Sequence, residues 1–321
     1  MAPTLLSLGV AALALVGDVS ATRFYLDETY DQSNFFDKWD FFVSDYSSPD
    51  YNDVDPTSGY VNYRSRHDAA QLGLIKELGD EMYIGVNSRD MTEFPGVGRD
   101  SVRIESKSLY NEGLMIARFT HLPKPVCGSW PAFWSFGDPW PTLGELDFYE
   151  GWNDGTINKP VIHTDHAAIN GNCSLTNQGQ TSIVTHDNCD TWGGIWDNQG
   201  CTTETTHEDP YGSDEGGIYA VEWTDEAIKF YSWTWANRPA NIDSESPDTS
   251  TWGTPSVLIA SPSCEVKNHF RNHKLVINIT FCGKAAGNDG IWAQSCLRST
   301  RKSCSAYVAE NPADFEDTYW Q

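Results

Sequence analysis

The run Gly144-Glu145-Leu146-Asp147-Phe148-Tyr149-Glu150-Gly151-Trp152-Asn153 limits the folds open to this chain more than any other segment. Acids and apolar residues alternate in it, which is the period of a pleated strand with one apolar face. Glu145 and Asp147 fall on one side, Leu146 and Phe148 on the other. Glu150 breaks the parity: five steps from Glu145, strict alternation drives its carboxylate to the apolar side, where an unpaired charge is costly. A β-bulge at Phe148-Tyr149 adds the one residue that restores it, so the three acids are expected in one solvent-facing row with Asp147 in the middle.

Like charges in a row repel, so at least one carboxyl is expected to keep its proton near neutral pH, and the group to titrate as a coupled set. These are the electrostatics of glycoside hydrolysis, in which one carboxylate attacks the anomeric carbon and another, of raised pKa, protonates the leaving oxygen. With the bulge discounted, Glu145 and Glu150 are four strand steps apart, roughly 13 Å between Cα atoms at about 3.3 Å per step, and inward-leaning side chains bring the carboxyls well inside that span.

The rest of the chain supports an all-β fold. Short alternating runs recur at residues 59–63, 82–86, 101–107, 114–119, 160–164 and 274–281, and residues 217–224 and 227–233 read as a hairpin. No helix-period segment of useful length appears after the N-terminal apolar run. The expectation is a two-sheet antiparallel β-sandwich of jelly-roll type, with the acids in a cleft on the concave sheet. At 321 residues the chain still fits one such domain, over 22–321.

Leu5 to Val16 has the length and apolarity of a signal peptide, and Val19-Ser20-Ala21 that of a cleavage site. Residues 1–21 therefore read as a leader, and the mature protein as secreted, extracellular, monomeric and free of the membrane. A net charge of −24 argues against nucleic acid and anionic surfaces, whereas a neutral polysaccharide is not repelled. The eight cysteines lack zinc spacing and point to disulfides, whose pairing stays open among 105 connectivities. Asn172-Cys-Ser174 and Asn278-Ile-Thr280 are glycosylation sequons. No dinucleotide, P-loop or G-x-S-x-G signature competes, and neither cofactor nor metal is expected.

Glu145-Leu-Asp147-Phe-Tyr-Glu150 resembles the E-x-D-x-x-E motif of glycoside hydrolase family 16 in its bulged, laminarinase-type form. Trp130-Pro-Ala-Phe-Trp134, Trp140-Pro141, Ile162-His163-Thr164, Tyr219-Ala-Val-Glu-Trp223-Thr224 and Phe281-Cys282-Gly283 follow in the order and spacing of fungal endo-1,3(4)-β-glucanases. The resemblance runs from about residue 24 to the end. It implies a retaining endo-β-glucanase acting on 1,3- or mixed 1,3(4)-linked glucan, with Glu145 as nucleophile, Glu150 as acid/base and Asp147 tuning Glu145. It further implies substrate contacts from Asn62, Arg103, Trp134, Trp140 and His163. A backbone-bonding role fits Asn62 equally, a salt bridge fits Arg103, and core packing fits Trp134.

Two features depart from the family. Lys284-Ala285 stands where Asp-Trp is usual, removing an expected sugar-stacking tryptophan, and Tyr319-Trp320-Gln321 falls where relatives continue into a final strand, so an incomplete or differently closed sheet is expected. A cell-wall transglycosylase of the same fold and a non-catalytic carbohydrate-binding jelly roll remain as alternatives. Intact Glu145 and Glu150 argue against the second. A calcium loop fits poorly, because acids alternating with Leu146 and Phe148 are not the consecutive oxygen-rich run that calcium prefers.

Overall fold

The alternation along the chain becomes two stacked sheets in the computed structural model, which describes residues 23–194 and 198–321. Among these residues the larger sheet has eight antiparallel strands, ordered Trp39–Phe41, Arg103–Ser106, His273–Phe281, Ser129–Gly137, Glu145–Glu150, Val161–His163, Cys201–Glu204 and Ile183–His186. The smaller has four, ordered Val257–Ala260, Ala227–Trp233, Gly217–Trp223 and Gly113–Phe119, and includes the expected 217–233 hairpin. The fold is the two-sheet jelly roll that the strand pattern calls for. It is accompanied by a hairpin, Ile75–Leu78 with Glu81–Ile84, and by a parallel pair, Val61–Tyr63 with Arg99–Ser101.

Inward-facing aromatics join the layers. Phe148 meets Phe230 of the smaller sheet edge-on at 5.1 Å between ring centres, and Phe133 bridges Phe148 at 5.4 Å and Phe119 at 5.7 Å. Each such side chain contributes about 1.5–3 kcal/mol on burial. The bulge lies where parity requires it: Phe133 pairs with Tyr149 and Trp134 with Asp147, leaving Phe148 as the extra residue. Leu146, Phe148 and Tyr149 are all buried in the core.

All eight cysteines are oxidised, as Cys127–Cys296, Cys173–Cys264, Cys189–Cys201 and Cys282–Cys304. After the His273–Phe281 strand come four short α-helices, Gly283–Ala286, Asp289–Gln294, Leu297–Thr300 and Cys304–Glu310, and a 3-10 turn, Pro312–Phe315. They are too short to show a helical period in sequence; their signals are local caps, such as Asn288 accepting from the Gly290 and Ile291 amides and Ser303 from that of Ala306. Lys284 is exposed on the first of these turns. The final residues tie the fold together: Trp320, 1% exposed, exchanges backbone hydrogen bonds with Ile84, and the Gln321 carbonyl accepts from Thr120 and His121. The leader reading of residues 1–21 lies outside the described residues, among which no helix is long and apolar enough to cross a membrane.

Candidate active site

Strand pairing gathers the predicted acids on the outer face of the large sheet. Glu145 lies opposite His163 on one side and Phe136 on the other; Asp147 lies opposite Trp134, and Glu150 opposite Ala132. Asn278 and then Arg103 continue the Ala132 row across the sheet. Gly144 sets up the strand entry with φ +82°, and a Cβ there would stand 2.4 Å from the Phe270 ring, so only glycine fits.

The row is not open to water as the alternation suggested: Asp147 is 3% and Glu150 8% exposed. Indoles and an imidazole cover it. The Trp140 indole N–H donates to Glu145 Oε2 at 2.6 Å, and that of Trp130 to Glu150 Oε1 at 2.8 Å. His163 Nε2 lies 3.4 Å from Glu145 Oε1 and 3.8 Å from Asp147 Oδ2, an oxygen with no hydrogen-bond partner.

Burial dominates the titration of every member. It pushes Glu150 up to about 7 against the opposing Trp130 N–H and the Lys159 charge. Glu145 is pushed up to about 8 by burial and then by the charge of Glu150, opposed by the Trp140 N–H and by Arg103. Asp147 is raised well above the usual carboxylate range by burial and by both glutamates. Burial also lowers His163 to about 4, so it stands beside the acids as a neutral ring. The set holds protons at neutral pH, as like charges out of water must. When Glu150 is protonated, the Coulombic part of the Glu145 shift disappears, so a state with Glu150 neutral and Glu145 ionised is favoured over one with both charged.

Glu145, Asp147 and His163 place ligand atoms within 4.8 Å of one another, close enough to hold a small cation. Glu145 Oε2 is already engaged by an indole N–H, and Asp147 favours its proton, so the donor set suits proton chemistry better than a metal. The other two His/Cys/Asp clusters among the described residues contain disulfide-bonded cysteines.

Asn158, which alternation does not single out, pins the bulge. Its Nδ2 donates to the Phe148 carbonyl and its Oδ1 accepts from the Glu150 amide, both at 2.9 Å. A sheet neighbour would satisfy these two groups, but the bulge has removed it. Nδ2 also donates to Asp209 Oδ2 at 3.2 Å, and Asp209 accepts from Tyr219, Ser232 and the Tyr211 amide. In sequence, Asn158 sits in a turn-rich run and reads as a turn residue.

Other predicted residues divide. Trp140 and His163 touch the row directly. Trp134 is half-buried on the same face, with its indole N–H on Asn278 Oδ1 at 2.7 Å, and Asn278 Nδ2 donates to Tyr63 at 3.2 Å. The sequon at Asn278 is therefore an internal strand residue, 5% exposed and bonded on both sides, so it is no glycan acceptor in the folded chain; Asn172 is exposed. Arg103 is 4% exposed, paired to Glu105 at 3.0 Å and flanked by Trp134 and Phe42 at 5.0 and 5.1 Å, so it makes the salt-bridge contact and supports Trp134. The Asn62 amide donates to Asp100 at 2.9 Å, which gives it a structural tie outside the acid row.

A jelly roll with a row of carboxyls on one sheet face, each glutamate held by an indole, has the groups that a glycoside hydrolase requires. The XgeA-like catalytic GH16 domain model matches residues 50–321. An endo-1,3(4)-beta-glucanase of Arthroderma benhamiae is 36% identical over 97% of the chain, and a probable endo-1,3(4)-beta-glucanase of Aspergillus fumigatus 38% identical over its whole length. The chain spans 66% and 49% of those proteins, respectively. Among solved structures, an elongating family 16 beta-1,3-glucosyltransferase matches with TM-score 0.81 and 36% identity, covering 93% of this chain and 97% of that one. Laminarinase 16A of Phanerochaete chrysosporium, with 6-O-glucosyl-laminaritriose in donor and acceptor sites, matches with TM-score 0.81, 30% identity and the same coverage. The chain belongs to glycoside hydrolase family 16 and carries its fungal laminarinase-type catalytic domain.

Proposed function

We propose that this chain is a secreted, monomeric, retaining endo-β-glucanase that cleaves 1,3- or mixed 1,3(4)-linked glucan by double displacement. The observation that carries the reading is the pair of indole-held glutamates on one sheet face, with the buried carboxyl of Asp147 between them. In the first step Glu145 attacks the anomeric carbon and Glu150 gives its proton to the leaving oxygen; in the second, Glu150 takes a proton from water as that water displaces Glu145. Asp147, whose pKa burial and both glutamates raise, favours its neutral form beside Glu145 and so limits the repulsion as charge moves. Neutral His163, at 3.4 Å, offers Glu145 a polar contact without fixing a counter-charge on it.

Four disulfides support an oxidising, extracellular destination. The relatives named endo-1,3(4)-beta-glucanase support the substrate class. A second reading, in which a sugar hydroxyl replaces water in the second step and chains lengthen, is favoured by the structural match to the elongating glucosyltransferase. Incubating the protein with laminarin, lichenan, xyloglucan and galactan and sizing the products tests both. Shorter β-glucan fragments, with the β-anomer formed first by proton NMR, are expected. Products longer than the substrate point to transfer, an α-anomer formed first overturns the role of Glu145, and no turnover of any glucan overturns the proposal.

A further inference from the structure

Trp192 belongs to no role described above, yet its surroundings are those of a built platform. Among the described residues it is the one exposed tryptophan, with 49% of its surface open. Its backbone is fixed. The adjacent Thr191 donates both its amide and its hydroxyl to the Thr164 carbonyl, at 3.0 and 2.9 Å, and the Trp192 amide donates to Asp190 Oδ1 at 2.9 Å. The Thr164 amide in turn donates to Cys189, whose disulfide to Cys201 closes the segment. Gly200 packs beneath His163 so closely that a Cβ would lie 2.7 Å from Nδ1. The loop is thus anchored on His163, the last residue of the strand beside Glu145, and on Thr164, which follows it.

The Trp192 side chain returns to the same place. Its ring lies 5.9 Å from that of Trp140 with the planes at 78°, and Trp140 is the residue whose N–H holds Glu145. Two nearly perpendicular indoles form a corner next to the Glu145 carboxyl. At its rim the His166 ring stands 6.2 Å from Trp192, and His166 Nδ1 is 3.1 Å from Asp190 Oδ2, so polar groups border the apolar walls. A large, half-exposed apolar ring on a tethered backbone, packed against the indole that holds a reactive group, marks a ligand surface.

We propose that Trp192, with Trp140, forms an aromatic subsite for a glucose unit of the β-glucan chain beyond the unit that Glu145 attacks; this rests on the function proposed above. The chemistry fits a β-linked glucose, whose hydroxyls are all equatorial and whose ring faces therefore present C–H bonds to an indole. An axial hydroxyl, as in galactose, would turn a polar group onto one face. Because the anchoring hydrogen bonds are made by Thr191 and by the Trp192 amide, Trp192→Ala removes the platform and leaves those bonds in place.

Isothermal titration of laminarihexaose into the Glu150→Gln protein, with and without Trp192→Ala, reads binding apart from turnover. The expected result is about tenfold weaker binding in the double variant, partial recovery with Trp192→Phe, and a smaller loss with laminaribiose. An unchanged dissociation constant, an equal loss for both sugars, or no binding by the Glu150→Gln parent overturns the proposal. Failure of the glucanase reading shows separately, as wild-type protein that binds the hexaose but yields no products from glucan.

Discussion

Replacing Asn158 by alanine tests whether the bulge is held from the side or by the sheet alone. The side chain is 1% exposed and satisfies two backbone groups of the bulged segment, the Phe148 carbonyl and the Glu150 amide. A buried polar group left without a partner costs about 1–3 kcal/mol, so two give about 2–6 kcal/mol, and local relaxation or an entering water lowers this to about 2–4 kcal/mol. The corresponding fall in Tm is roughly 4–10 °C. Activity should suffer beyond stability, because the Glu150 amide belongs to the residue whose carboxyl delivers the proton. At a temperature where the variant is fully folded, kcat is expected to drop at least about tenfold with a smaller change in KM, since a 1.4 kcal/mol misplacement penalty in the transition state suffices.

A control separates positioning from general damage. Ser106→Ala also removes a buried side chain that satisfies two backbone groups, the Ser108 carbonyl and the Leu275 amide, but bonds to nothing in the row. It should lower Tm with kcat nearly intact. If Asn158→Ala and Ser106→Ala lower kcat equally, or if Asn158→Ala leaves Tm within a degree of wild type, the argument that Asn158 pins the bulge is wrong.

Glu145→Gln and Glu150→Gln should each abolish most turnover while leaving the fold intact, Asp147→Asn should cost less, and azide should rescue only the Glu150 variant, giving a β-azide detectable by NMR. The alkaline limb of kcat/KM should fall near pH 7 as Glu150 loses its proton, and Trp130→Phe should move that limb upward, because the indole N–H stabilises the ionised form; an unmoved limb would mean another group sets it. Against an ionised Glu150 the folded pKa of Glu145 is raised from about 4.5 to about 8, and with Glu150 neutral only the burial part of that rise is left; in either case the stability its neutral form gives is complete below pH 4.5 and lost as pH rises toward 8. Glu145→Gln should therefore raise Tm by a few degrees at pH 8.5 and leave it nearly unchanged at pH 4.5, as read by calorimetry; a gain at pH 4.5 equal to that at 8.5 would contradict the burial argument.

The strand, its bulge and the gathering of the acids in one row were legible because each rests on a period of two and on one parity conflict within six residues. Burial of the row was not legible, since it depends on Trp130 arriving from the neighbouring strand and Trp140 from the loop before Gly144, contacts that alternation alone does not place. Arg103 illustrates the limit: sequence left a substrate contact and a salt bridge equally open, and only the register that sets Glu105 and Trp134 around it shows the salt bridge. Asn158 was not singled out and Asn278 was read as a sequon, for a common reason. Asparagine in isolation reads as a turn residue or a sequon, whereas both here are buried amides whose value lies in donating and accepting at once.

The choice of indoles as donors to the row has an electrostatic consequence. A lysine or arginine at the same distance would satisfy a glutamate oxygen, but its charge would pull every carboxyl in the row toward ionisation. An indole N–H supplies one directed hydrogen bond and an apolar face, and leaves the proton affinity of its neighbours largely to burial. The two cations whose charge does reach the row are occupied elsewhere: Arg103 is paired with Glu105, and Lys159 with Glu204. Their influence on Glu145 and Glu150 is thereby weakened, and burial keeps Glu150 near 7, where a carboxyl can donate a proton at neutral pH and take one back. Freeing Lys159 by Glu204→Gln should therefore lower the Glu150 pKa and shift the alkaline limb of the rate profile downward, opposite in sign to Trp130→Phe. A shift in the same direction as Trp130→Phe would show that the cation does not act on Glu150 through its charge.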